Sequence, residues 1–189
     1  IAEAAGDSLP VLPPSIVDAP ITYDLGPAFA TLEAAVPHKF GDIATRKRSA
    51  KNRRISTAFA AERTPFVITR EGTTVRVATV LEYQGKGWYK APLGAEVSGS
   101  CGMSGPRPRV SVAIATTLRM TPDWGLRGKS EVTSVTPFSS ERRDQCKVTF
   151  FNIDVTDRVV AAARSELEKR LTQLDEKIAA VDVRSRIDN

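Results

Sequence analysis

The chain has 189 residues, of which 41% are apolar and 26% charged, with a net charge of +5 and a pI near 9.4. This is the composition of one folded domain, or two small ones, able to hide roughly 70% of its unfolded surface. It excludes a membrane-spanning helix: the longest strictly apolar run, Val159 to Ala163, is far short of the roughly 20 residues needed. The mild positive charge favours anionic surfaces without choosing between membrane and nucleic acid.

Residues 1–14 are small, acidic and Pro-containing, which predicts a flexible leader ahead of a single domain over 15–189. Ile21, Tyr23 and Leu25 alternate at the end of a predicted strand over 15–25. Pro27 then opens a short helix, because its missing N–H costs nothing in a first helical turn. Leu25, Phe29, Leu32 and Val36 share one face of it, and Pro37 stops it.

Residues 46–54 read RKRSAKNRR, six basic side chains in nine, and must be exposed. Period-2 patterns follow. They cover Ile55–Phe59, Phe66–Ile68, Val75–Leu81, Val110–Met120, Trp124–Val132 and Val148–Phe150. Polar residues alternate with the apolar ones, which predicts an antiparallel sheet with one wet face. Gly72, Gly85, Gly87, Gly102 and Gly105 are read as punctuation between the strands. A helix of about 25 residues closes the chain, from Thr156 or Asp157 to Val181. Val160, Ala163, Leu167, Leu171, Leu174, Ile178 and Val181 form its apolar stripe. Asp154 or Thr156 can cap it, and Glu166 can pair with Arg170. At 1.5 Å per residue it runs roughly 37 Å, enough to lie along a curved sheet.

No catalytic centre is visible. The one histidine, His38, sits beside a proline with no nucleophile elbow anywhere in the chain. One histidine and two cysteines cannot build a usual zinc site. Gly128-Lys129-Ser130 resembles the end of a phosphate-binding loop. However, the motif's first glycine would fall at Asp123, and the residues that follow are strand-like. Gly99, Gly102 and Gly105 read as a flexible loop carrying Cys101. Cys101 and Cys146 are free thiols in a cytosolic chain and one disulfide in an exported one. The basic run lacks the interleaved aromatic residues that stack bases. It is a solvated loop or a contact with anionic lipid, where each charge gains about 1 kcal/mol.

Three short stretches carry a family resemblance. Ser15-Ile16 with Ile21-Thr22-Tyr23-Asp24-Leu25, Leu32 and Val36-Pro37 resembles the start of a bacterial exported family, domain of unknown function 4403. Pro122-Asp123-Trp124 with Leu126, and Ile153-Asp154-Val155-Thr156 before the long helix, resemble two later landmarks. Members are typically more than twice this length, so the resemblance implies an N-terminal half or a short version. The family is similar to tubular lipid-binding (TULIP, BPI-like) proteins, which wrap a long curved antiparallel sheet around a long helix and hold acyl chains between them.

The expectation is therefore an α+β, TULIP-like fold. A long, curved antiparallel sheet wraps a long C-terminal helix, with a short N-terminal helix. The resemblance implies a periplasmic or outer-membrane-associated lipid-binding or lipid-transfer domain, not an enzyme, with no cofactor and no metal. Its groove would be lined by Ile21, Tyr23, Phe29, Leu32, Phe59, Val77, Val110, Val112, Ile114, Leu118, Trp124, Leu126, Leu167, Leu171 and Leu174. Arg46, Lys47, Arg48, Lys51, Arg53 and Arg54 would meet head groups or an anionic membrane surface. Partners are a lipid or other apolar ligand and a possible second copy, with no nucleic acid. The alternative is a non-enzymatic cell-envelope interaction module with a solid core.

Overall fold

The computed structural model describes residues 24–50, 52–148, 153–181 and 183. The leader, residues 15–23 of the expected first strand (Ile21 and Tyr23 among them), Lys51 and Phe150 lie outside these residues. The protein is α+β: a seven-stranded antiparallel sheet with a short helix before it and a long helix after it.

Helix α1, Gly26–Ala35, carries its proline in the first turn and ends just before Val36-Pro37. The side chain of Asp24 accepts the N–H of Gly26 at 2.8 Å. Phe29, Leu32 and Val36 are half-buried.

The sheet is built around one long strand, β4, Thr74–Lys90. On one side β4 meets β3, Val67–Glu71, and then β2, Ile55–Arg63. On the other it meets β6, Arg109–Met120, and then β5, Glu96–Cys101. Strand β1, Lys39–Arg48, extends the sheet beyond β2, and β7, Leu126–Pro137, extends it beyond β6. A short hairpin of β8, Lys147–Val148, and β9, Ile153–Asp154, leads into helix α2, Thr156–Ala179.

Register divides the sheet into two chemically distinct faces. Tyr83 faces Ala61, Leu81 faces Val110, Ile114 faces Val132 and Val112 faces Val135, so these apolar residues share one face. The opposite face carries Glu62, Arg76, Glu82, Lys86 and Lys129, with Trp88 and the buried Ser56, Ala58 and Ala115 among them. A register shift lets Val132 and Val135, an odd number of residues apart, both face inward: Ala113 pairs with Ser134 while Ile114 pairs with Val132.

Helix α2 packs chiefly against β7. Val159, Val160, Ala163, Leu167 and Leu171 close over Tyr83, Val110, Val112, Val132 and Val135. The same helix covers the free edge of β7. Arg164 donates to the carbonyl of Val132 at 3.1 Å, and Asp175 accepts the N–H of Ser130 at 3.3 Å. These are groups that an unprotected edge would offer to another strand. Asp154 accepts the Thr156 N–H at 2.9 Å at the helix start, while the Thr156 hydroxyl accepts the N–H of Cys146 at 2.7 Å. Glu166 and Arg170 pair at 3.1 Å.

The structure corrects several local readings. Arg46–Arg48 are the end of strand β1, not loop. Gly85 and Gly87 lie inside β4, and Gly99 inside β5, where turns or a flexible loop were expected. Trp124 stands in the turn before β7, with φ of 64°.

Candidate functional site

The apolar face is unevenly covered. Its β6–β7 half lies under α2, where Val110 and Val112 are 2% and 6% exposed. Its β2–β4–β5 end is open. There Ile55, Phe59, Tyr89 and Val97 are 36%, 53%, 43% and 44% exposed. Between them the floor is glycine: Gly85 pairs with Phe59 on one side and Cys101 on the other, and Gly87 with Thr57 and Gly99. A Cβ on Gly85 or Gly87 would meet nothing closer than a backbone oxygen at 3.9 or 4.0 Å. The side chain of Val148 lies directly on Gly99 and forms one end wall. The result is a shallow apolar trough, walled by aromatic and β-branched side chains.

The expected groove residues fall into separate groups. Phe59 lines the trough. Val110 and Val112 are core; Ile114, Leu167 and Leu171 pack on it, and Val77, Leu118, Leu126 and Leu174 are half-buried. Phe29 and Leu32 belong to α1, and Trp124 to the far hairpin tip. An open recess of about 390 Å³ lies outside the sheet–helix interface, among the loops around Cys101 and Arg142.

The basic run does not act as one patch. Arg46 crosses the polar face, stacks 4.6 Å over Trp88 and holds Glu96 through two hydrogen bonds of 2.9 and 2.6 Å. That pairing holds Glu96 below the usual carboxylate range. Lys47 lines a 50 Å³ depression with Thr57 and Phe59, beside the trough. Arg48 ends β1, and Arg53 and Arg54 are exposed in the turn before β2.

Two ionic clusters that the sequence did not announce fix the sheet's surroundings. Arg63 is buried and gathers the end of α1: it donates to Glu33 Oε1 at 2.7 Å and to the carbonyls of Glu33, Val36 and Pro37 at 3.0, 2.6 and 3.1 Å. Glu33 also accepts the N–H of Phe66, the main reason its carboxyl is held low, with Arg63 next. His38 lies 3.1 Å from the same carboxylate. Asp144 is fully buried and accepts from Arg109 at 2.8 and 2.9 Å and from Ser139 at 2.5 Å. Arg109 is the largest cause holding its carboxyl low. Cys101 and Cys146 form a disulfide that ties β5 to the segment before β8, with Cα atoms 5.3 Å apart.

Fold and site define an amphipathic α+β domain with one half of its apolar face closed by a helix and the other half open. The chain belongs to the family described as domain of unknown function (DUF4403), whose model matches residues 13–189. No curated protein matches it. A crystal structure of lipopolysaccharide binding protein is similar at 13% identity with a TM-score of 0.37, over 68% of this chain and 26% of that one. The chain thus spans about a quarter of that structure's length.

Proposed function

We propose that this domain binds a lipid on the open end of its apolar face, in the periplasm or at the outer membrane, and performs no chemistry on it. The observation that carries this reading is the glycine-floored trough. Gly85 and Gly87 remove the side chains that would fill it, and exposed Phe59, Tyr89 and Val97 offer apolar walls. Each CH₂ laid there leaves water for about 0.8 kcal/mol, so an acyl chain needs no further chemistry to bind. The disulfide supports an oxidising compartment. Lys47 beside Phe59, and Arg53 and Arg54 nearby in sequence, suit an anionic membrane surface.

The test uses Gly87→Val. A Cβ there meets nothing closer than 4.0 Å, and valine suits a strand better than glycine, so the variant should hold or gain about 0.5–1 kcal/mol of stability. It should weaken uptake of a fluorescent fatty acid roughly tenfold, the equivalent of 1.4 kcal/mol. A wild-type chain that takes up no fatty acid, or a variant that binds as well, would sink the proposal. A second reading, an envelope interaction module, is favoured by one observation: the 390 Å³ recess does not lie between sheet and helix. It predicts that purified protein carries no lipid in native mass spectrometry.

A further inference from the structure

The 390 Å³ recess is lined by the Gly102–Pro106 loop and by Arg142, Arg143, Gln145 and Lys147. No lining residue is acidic. Of the two acids of that segment, Glu141 is exposed but outside the lining, and Asp144 points the other way, fully buried and held by Arg109 and Ser139. The turn thus points the Asp144 carboxylate inward and the Arg142 and Arg143 guanidiniums outward. Arg142, Arg143 and Lys147 all line the recess, and Asp154 stands across the β8–β9 hairpin from Lys147. Three cations gathered around one recess make its potential positive and favour an anion there. The disulfide at Cys101 and Cys146 fixes both walls of the recess to each other.

We propose that this recess binds a phosphate group, free or carried as an ester. Two adjacent guanidinium forks and one ammonium match the oxygens of a phosphate better than a single carboxylate. The volume lies in the range that holds a small ligand. The recess also adjoins the trough. Cys101 pairs with Gly85, and Lys147 precedes the Val148 that covers Gly99. A phospholipid can thus place its phosphate in the recess and its chains on the glycine floor. That lipid form rests on the function proposed above; the anion site itself does not.

Calorimetric titration of the full chain at low salt separates the possibilities. The probes are inorganic phosphate, dihexanoyl phosphatidic acid below its micelle concentration, and dihexanoyl glycerol. Arg142→Gln/Arg143→Gln changes two exposed side chains and should leave the circular dichroism spectrum and melting temperature unchanged. It should weaken phosphatidic acid binding roughly tenfold or more, about 1.4 kcal/mol, and leave dihexanoyl glycerol binding as it was. The charge-matched control Arg53→Gln/Arg54→Gln should change phosphatidic acid binding little. If inorganic phosphate binds as tightly as phosphatidic acid and is lost in the same variant, the recess is a site for free phosphate and the proposal stands. If phosphate probes bind but dihexanoyl glycerol does not, the anion site stands and the apolar reading fails. If dihexanoyl glycerol binds and neither phosphate probe does, or if the control loses as much as the test variant, the anion site is overturned.

Discussion

Arg63 shows how one side chain can position a whole element. The last carbonyls of a helix have no partner within it. Here a guanidinium from β2 supplies the donors, reaching the carbonyls of Glu33, Val36 and Pro37 while pairing with the Glu33 carboxylate. A positive charge at a helix C-terminus also complements the dipole. Lysine has the charge but not the planar fork. Arg63→Lys should therefore cost about 2–4 kcal/mol, read from urea unfolding, because buried acceptors lose their donors. A loss below the noise of that measurement would show that α1 is held by other means. Tyr83 is the converse case. Among the described residues its hydroxyl is buried without a partner, and burial, reinforced by the charges of Asp154 and Asp144, pushes it up to about 12. The folded state thus keeps a proton that the unfolded chain releases above its ordinary value near 10. Stability tied to this group is complete below about pH 10 and falls as pH rises towards 12. Tyr83→Phe should remove that alkaline decline and, at neutral pH, match or exceed wild type by about 1 kcal/mol. A decline that persists unchanged in the variant would assign it to other groups.

At the scale of elements, legibility followed periodicity. Strand β6 and helix α2 could be read because each keeps one apolar period along its length, and β7 as far as Val132, where the register shift breaks its period. Helix α1 was legible from Pro27 and Pro37, which bound it by stereochemistry. Strands β1 and β5 were not. In β1 the ladder slips between Asp42 and Lys47, where Asp42 turns back to accept from Ala44 and Thr45, and the basic residues after it look like loop. In β5 the sequence EVSGSC shows no long apolar run, and its one inward glycine lies under Val148. Gly85 and Gly87 misled for a related reason. Glycine weakens a strand, so two of them suggest a turn. Yet Tyr83, Gly85, Gly87 and Tyr89 keep strict period 2, and that spacing is the signal that β4 runs on through them. The ionic clusters of Arg63 and Asp144 had no sequence signal, because their partners lie 30 and 35 residues away.

For the whole molecule, the question is what holds an open sheet together when much of one apolar face is bare. Among the described residues ten apolar side chains are buried, a small core for this length. Seven of them gather where β4, β6, β7 and α2 meet the Cys101–Cys146 bridge. That bridge joins the sheet to the segment that launches α2 and closes a loop of 45 residues. Closing a loop of that size removes unfolded-state entropy worth about 4 kcal/mol on the chain-entropy model. Small cores lean on such cross-links, since area alone leaves a margin of only about 5–15 kcal/mol. Reduction should therefore lower the melting temperature by roughly 8–16 °C, taking 2–4 °C per kcal/mol for a chain of this size. The double variant Cys101→Ser/Cys146→Ser should reproduce the drop without reductant. The loss should also reach the ligand sites, because the bridge fixes Cys101 beside Gly85 and holds the strand that carries Lys147 and Val148. A reduced chain that melts within a degree or two of the oxidised one would show that α2 and β7 alone hold the open face in place.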